Sequence, residues 1–318
     1  MISATTPNTR SDREHETPRD NLRVIFIAGH GRSGSTILDA LLAQSAGVTG
    51  TGELVNLVSG GLESGEFCAC GNAVRECEFW SEVGSKWSEI CGSKAVAGFR
   101  ELNASLHRRR SPWNRRTIAG QRGNAAQLDL GLFQAIAETC GDSTLIDSSK
   151  VPARLDALAR IDGLDLRVIH LIRDPSSVAK SLSRPLSKNR SMGVQVDLPA
   201  RRQLRSAAAW AVKNLSTERI IRRHGLRSCR VRFEDLTSNP EETLNRIAAA
   251  TDMDLSGSIE VVRSGAPITF GHTVAGNRVR MQGPVRLLHK SPKPEDAENR
   301  LGAGSALITA PLARRYGY

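Results

Sequence analysis

The hydrophobic positions of this chain change period in a repeating way. Val24 to Ile27 is an unbroken apolar run, the pattern of a strand buried on both faces. A turn punctuated by glycines follows, and then Ile37, Leu38, Leu41 and Leu42 recur at helical spacing. Ser143 to Ile146 and Arg167 to Ile172 repeat the strand pattern, each leading through a polar loop into a helix entered near Pro152 or Pro175. Gly131 to Glu138 reads as helix, and Arg201 to about His224 as a long core helix carrying Trp210, Val212, Leu215 and Ile220. Arg230 to Phe233 predicts a further strand. Asn239, Pro240 and Glu242 stand where an N-cap, a first-turn proline and a capping-box acid belong, which announces a helix through Ala250. Ala310 to Tyr318 reads as a short terminal helix with exposed arginines.

Strand and helix alternating in this way predict an α/β fold, a parallel sheet flanked by helices, with ligands beyond the carboxyl ends of the strands. Loops 29 to 36, 147 to 150 and 173 to 175 would gather there. The sheet pattern lapses between Asn56 and about Arg122, so residues 56–130 are expected to form a mostly helical insertion that shapes an acceptor site. Residues 1–21 are polar and lack the apolar core of a signal peptide, which predicts a disordered tail and a cytoplasmic location. Residues 22–318 are expected to be a single domain.

Composition narrows the chemistry. A formal charge of +11 and a pI near 9.9 favour anionic partners without choosing among them. No apolar run approaches the roughly 20 residues of a membrane helix. His107 to Arg110, Arg115, Arg116 and Arg122 form a basic run; a solvated face is the favoured reading, and contact with an acidic acceptor or a membrane surface is the alternative. With one aromatic, Trp113, in the run and no recognised module, nucleic-acid binding is not expected. Among the six cysteines, Cys68, Cys70 and Cys77 are clustered. They supply three zinc ligands, the fourth being Cys91 or a distant histidine; a disulfide or plain buried thiols is the favoured reading.

The turn after the first strand carries Gly29, Gly31 and Gly34. Their backbone freedom lets successive N–H groups converge on one anion at a helix N-terminus. The spacing of Gly29 and Gly34 and the hydroxyl of Thr36 fit a Walker loop, but Ser35 stands where the lysine belongs. The nearest cation is then Arg32, able to fork two hydrogen bonds to phosphate or sulfate oxygens. Arg173, directly after a buried strand, either serves a second phosphate together with Ser181 or pairs with Asp174 in a helix cap. Glu53 is a candidate general base, with a capping or surface carboxylate as the alternative. Gly271 to Arg278 reads equally as a loop closing over an anion and as a flexible surface loop.

The R-S-G-S-T order of residues 32 to 36, followed by Arg173 and Ser181 eight residues apart, resembles the sulfotransferases that use 3'-phosphoadenosine 5'-phosphosulfate (PAPS). Gly52-Glu53-Leu54, the Cys-x-Cys-Gly and Cys-x-Phe-Trp elements of 68 to 80, Asp147 to Lys150 and Gly271 to Arg278 are similar to a bacterial branch of that family. The chain also resembles the carbohydrate and tyrosylprotein sulfotransferases. The resemblance implies a P-loop-kinase-like fold, with Gly31, Arg32, Ser33, Gly34, Ser35 and Thr36 on the 5'-phosphosulfate. It places Arg173, Ser181, Asn277 and Arg278 on the 3'-phosphate and gives Arg32, Glu53 and Lys150 the catalytic roles. The implied acceptor is a small-molecule, glycan or lipid hydroxyl, and the implied chemistry requires no metal. The chain departs from the cytosolic members at Arg32, where they carry lysine, at Phe233, where they carry tyrosine, and in lacking their late R-K-G motif. The competing readings are a P-loop kinase of a small molecule and a noncatalytic nucleotide-binding relative.

Overall fold

The structure, a computed structural model, describes residues 22–108, 122–194, 197–287 and 301–318. The expected tail, 1–21, and Arg109, Arg110, Arg115 and Arg116 of the basic run lie outside these residues, as do the side chains of His107, Arg108 and Arg122.

The five strands β1 (Arg23–Gly29), β2 (Val48–Gly52), β3 (Thr144–Asp147), β4 (Asp165–Ile172) and β5 (Ser228–Arg232) form one sheet in the order β2-β3-β1-β4-β5. Every pairing is parallel, with Val24 opposite Leu145 on one side and Leu166 on the other. β2 was not among the expected strands. Its sequence, Val-Thr-Gly-Thr-Gly, sets β-branched residues between glycines, which hides an otherwise favourable strand composition.

Because side chains alternate across a strand, the apolar run of β1 feeds two cores. Val24, Phe26 and Ala28 pack with Leu145 and Val168 against the helices α2 (Glu78–Cys91), α3 (Ala95–Arg108), α4 (Arg122–Cys140) and α5 (Pro152–Leu158), through Trp80, Trp87, Phe99, Phe133 and Leu155. Ile25 and Ile27 pack with Ile146 and Ile169 against α1 (Ser35–Leu42) and α9 (Pro240–Thr251). The helices of the 56–130 region therefore share the core of the sheet. Arg154 of α5, fully buried, fastens them further by donating to Asp147 at 2.7 Å and to Asp129 of α4 at 2.9 Å. Burial opposes its charge, and the two carboxylates more than offset that, holding Arg154 protonated above its ordinary range.

The remaining helices are α6 (Pro175–Ser183), α7 (Gln203–His224), α8 (Phe233–Ser238), α10 (Ser256–Ser264) and α11 (Ala303–Arg315). Helices α7, α9 and α11 differ from expectation. On α7, Trp210 is buried, but Val212 and Leu215 are 62% and 45% exposed. The buried stripe includes Asn214, Thr217 and Glu218, and Asn214 pairs with buried His170 at 3.0 Å, so an apolar count misplaces the face. The terminal helix begins at Ala303, and its Arg315 pairs with Glu218. Asn239 precedes α9 as expected, but its side chain makes no capping hydrogen bond. Among the described residues, no helix is long and apolar enough to cross a membrane.

Candidate active site

The turn between β1 and α1 is shaped by close packing. A Cβ on Gly29 would sit 2.1 Å from the Leu171 carbonyl oxygen, and one on Gly34 would sit 2.2 Å from the Phe233 ring. Gly34 has φ of 91°, where other residues are strained. Arg32 also takes a left-handed conformation, with φ of 72°, at a cost of roughly 1–2 kcal/mol for a residue with a Cβ. That twist belongs to a carbonyl which accepts from Arg173 Nη1 at 3.0 Å. The guanidinium of Arg173 lies 4.7 Å from the Phe233 ring centroid, and its own carbonyl accepts from Trp210 Nε1 at 3.0 Å. The two phosphate-loop candidates are thus joined directly.

Asp174 caps α6 by accepting from the Ser177 N–H at 2.7 Å, so the alternative in which it pairs with Arg173 is not what forms. Ser181 is half-buried on the second turn of α6 and has no hydrogen bond to Arg173 among the described residues. Ser33 Oγ and Arg173 Nε are buried without a partner. Ser35 and Thr36 open α1, where first-turn N–H groups have no intrahelical acceptor. Positive charge converges on the same place. Burial, then Arg278 and Arg201, push Arg32 below its ordinary range. Burial likewise lowers His30 to about 4, aided by Lys213 and Arg201, while its Nδ1–H donates to the Gly31 carbonyl at 2.7 Å.

At the far end of β2 stands Glu53. Lys150 Nζ donates to its Oε1 at 2.6 Å and Asn56 Nδ2 to its Oε2 at 3.0 Å. Lys150 is 8% exposed, and Glu53 makes no side-chain helix cap. The loop that delivers Lys150 is built by Asp147, which accepts from the Ser149 N–H at 2.9 Å and from Ser149 Oγ. Ser149 Oγ in turn accepts from the Val55 N–H at 3.1 Å. Lys150 donates a second bond to the Ser148 carbonyl at 2.7 Å and has φ of 60°. Two of its three N–H donors are thereby used among the described residues.

The segment from Gly271 to Arg278 closes this site. Glu53 N–H donates to the Val274 carbonyl at 2.9 Å and Val274 N–H to the Thr51 carbonyl at 3.1 Å, extending the end of β2. Gly276, with φ of 94°, packs between the carboxylate and α1: a Cβ there would lie 2.9 Å from Thr36 Oγ1 and 3.6 Å from Glu53 Oε1. Asn277 N–H donates to Thr36 Oγ1 at 3.0 Å, while the Asn277 side chain caps the turn Arg278–Met281.

Sequence reasoning missed Asn56, three residues from its partner Glu53, and Arg201, whose neighbour Arg32 is remote in the chain. Asp39 is different, since an acid between Leu38 and Leu41 on a buried helix face is a readable anomaly. It is fully buried, accepts from the Gly52 N–H at 3.1 Å, and burial raises it to about 7. The described residues also gather Cys68, Cys70, Cys77 and His272 as a set able to hold a metal ion. Cys91 stands apart, donating to the Gln127 carbonyl.

Comparison with known proteins follows the same lines. Among solved structures, the chain is similar to a sulfotransferase domain from the curacin biosynthetic pathway, at 16% identity over 92% of this chain and 98% of that one, with a TM-score of 0.47. It is similar to the sulfotransferase domain of the Synechococcus PCC 7002 olefin synthase, at 18% identity over 95% and 97% of the two chains, with a TM-score of 0.45. It is also similar to sulfotransferase STF9 from Mycobacterium avium, at 12% identity over 93% and 77%, with a TM-score of 0.45. A search of curated proteins finds no match. The model of the sulfotransferase family matches residues 24–257, which include both phosphate-loop candidates, Glu53 and Lys150. On that match the chain belongs to the sulfotransferase family, whose reaction is transfer of a sulfuryl group.

Proposed function

We propose that this enzyme takes its sulfuryl group from PAPS and delivers it to a hydroxyl of a carbohydrate, lipid, phenol or peptide. The observation that supports the reading is that one segment is bonded to both Thr36 of the phosphate loop, through Asn277 N–H, and Glu53, through the Val274 carbonyl, with Lys150 on the Glu53 carboxylate. The residues suit such a donor. Ser33 Oγ and Arg173 Nε are buried and unpartnered, and Arg32 is repelled by Arg278 and Arg201. An anion with several oxygens satisfies the first two and neutralises the last three.

Bound PAPS supplies the sulfuryl group on a phosphate that departs as 3'-phosphoadenosine 5'-phosphate. Arg32 and the backbone N–H groups of Ser33 to Thr36, with Gly31 leaving room, hold the 5' end. Arg173, with Ser181, Asn277 and Arg278, serves the 3'-phosphate, and Phe233 packs against the base, where it offers a face but no hydrogen bond. Asn277 does so through its side-chain Nδ2–H, because its Oδ1 accepts from Val279 and its backbone N–H is held by Thr36 Oγ1. Glu53 takes the acceptor hydroxyl's proton as its oxygen bonds to sulfur. A carboxylate has about four lone-pair sites, so its bonds to Lys150 and Asn56 leave room for this. Lys150 presents its third N–H to the transferring group, where positioning and charge stabilisation dominate.

Thermal-shift measurement with 3'-phosphoadenosine 5'-phosphate in magnesium-free buffer tests the donor. A raised midpoint is expected. No shift with it, alongside stabilisation by Mg-ATP, overturns the reading in favour of a kinase. Incubating enzyme and PAPS with metabolite extracts and searching by mass spectrometry for products heavier by one SO3 then identifies the acceptor.

A further inference from the structure

A second site lies on the insertion side of the molecule, and it is independent of the donor assignment. Cys68, Cys70, Cys77 and His272 bring four donor atoms within 4.8 Å of one another. Cys77 Sγ is 3.3 Å from His272 Nδ1, Cys68 Sγ is 3.8 Å from the same nitrogen, and Cys70 Sγ is 3.6 Å from Cys77 Sγ. Zinc bound at about 2.3 Å to sulfur and about 2.0 Å to nitrogen in a tetrahedron requires ligand separations of about 3.5–3.8 Å. Three of the six edges, at 3.3, 3.8 and 3.6 Å, lie near these values, and the others, within 4.8 Å, need a contraction of about 1 Å at most to close a tetrahedron. None of the cysteines is in a disulfide.

The surroundings are built to hold these atoms in place. Cys68 N–H donates to the Asn72 carbonyl at 2.8 Å, and Gly71, with φ of 97°, returns its N–H to the Cys68 carbonyl at 3.0 Å. This makes a tight knuckle with Cys68 and Cys70 on one side, closed by the antiparallel bridge between Phe67 and Ala73. The His272 ring is stacked on Phe79, with centroids 4.8 Å apart and planes at 10°, and Trp80 Nε1 donates to the His272 carbonyl at 2.8 Å. A second anchor ties the same two segments together, a buried ion pair of Arg280 with Glu66 at 2.7 Å.

We propose that Cys68, Cys70, Cys77 and His272 bind one Zn(II) ion as a structural site that fixes the segment closing the active site. Four protein ligands fill a tetrahedral shell and leave no open position, which separates a structural site from a catalytic one. Binding converts three thiols to thiolates, releases three protons to solvent and leaves a centre of net charge −1. The consequence follows along the chain. His272 is followed by Val274, paired with β2, by Gly276 against Glu53, and by Asn277, bonded to Thr36. The ion would clip the insertion to the strand that carries Glu53.

Elemental analysis of the full chain purified from zinc-supplemented cells, with native mass spectrometry, tests this. One zinc per chain is expected, with three thiols that become reactive to a thiol reagent only after chelation. Cobalt substitution should give the intense visible bands of a tetrahedral thiolate site. Cys70→Ser changes the exposed ligand and is the variant least able to disturb folding; it should lose the zinc, as should His272→Ala. His272→Cys should retain it, and Cys91→Ser should behave as wild type. Metal-free folded protein, an intact mass lower by two hydrogens from a Cys70–Cys77 disulfide, or full zinc occupancy in both Cys70→Ser and His272→Ala overturns the proposal.

Discussion

The two halves of the active site are held together by opposite means. Around the loop between β1 and α1, polar groups are left wanting: Ser33 Oγ and Arg173 Nε have no partner, and Arg32 faces Arg201 and Arg278. Around Glu53, the reacting groups themselves are satisfied internally, with Lys150 and Asn56 on its two oxygens and Asp147 organising the loop behind, although Arg154 Nη2 and Asn103 Oδ1 further back have no partner. A region that must bind an anion pays for unpaired groups until the anion arrives. A region that must move a proton keeps its acid and base in register before the substrate does. On the proposed function, the difference separates the residues assigned to binding from those assigned to the reaction.

The largest effect should come from the satisfied half. Glu53→Gln keeps the shape and one acceptor oxygen for Lys150 but removes the proton acceptor. Turnover should fall by about two to four orders of magnitude, while the affinity for 3'-phosphoadenosine 5'-phosphate measured by calorimetry stays within about twofold of wild type. Turnover near wild type would remove Glu53 from the role of base. A fall in affinity as large as the fall in turnover would erase the distinction between the halves.

The satisfied half should also be the one that depends on buried ion pairs for stability. Arg154→Ala leaves Asp147 and Asp129 buried without their cationic partner, and breaking such a network costs about 3–5 kcal/mol. Urea denaturation should show a midpoint shift of that size. A loss below about 1 kcal/mol would mean that the carboxylates find other partners and that Arg154 does not hold the Lys150 loop.

The contrast also explains what could be read from the chain. Glycines 29, 31 and 34 and the hydroxyls that follow are neighbours in sequence, so their joint purpose is visible in one stretch. The strand and helix alternation was legible for the same reason, apart from β2, whose glycines concealed it. The partners elsewhere are far apart: Lys150 meets Glu53 across 97 positions, and in the segment that closes the site Asn277 meets Thr36 across 241 and His272 meets Cys77 across 195. No spacing rule reaches that far. The three clustered cysteines left a disulfide, thiols and zinc open because the fourth donor becomes a neighbour only when the chain folds. On α7 the apolar residues misled, since Asn214 and Thr217 are buried through hydrogen bonds that no hydropathy pattern records.

Asp39 lies between the halves, on α1 but bonded to the end of β2. Burial raises it from 3.8 to about 7, so the fold favours its neutral form. The folded chain therefore holds a proton that the unfolded chain has released between those values. Its contribution to stability is complete below pH 3.8, declines as pH rises and is gone above about 7. Asp39→Asn imitates the neutral acid and should be the more stable protein at pH 8, by on the order of 3 kcal/mol, with the advantage vanishing towards pH 4. His30 and His170, both lowered to about 4 by burial, lose stability as pH falls through that value. They do so in both proteins and cancel in the difference. Parallel pH profiles of the urea midpoint would show that Asp39 ionises normally.

The smallest effect should come from the unsatisfied half, and it bears most directly on the comparison. Arg173 is charged, donates to the Arg32 carbonyl and lies against Phe233, so its replacement by alanine removes a charge-assisted contact worth about 1.5–3 kcal/mol. Calorimetry with 3'-phosphoadenosine 5'-phosphate should show affinity weakened by about ten- to a hundredfold. Arg173→Lys keeps the charge but loses the planar fork and the stacking, and should recover only part of that loss. Adenosine 5'-phosphate, which lacks the 3'-phosphate, supplies the decisive control. If Arg173 meets the 3'-phosphate, its replacement should scarcely change the binding of this ligand. If the affinity for both nucleotides falls equally, Arg173 acts by holding the carbonyl of Arg32, and the two phosphate loops are one device rather than two.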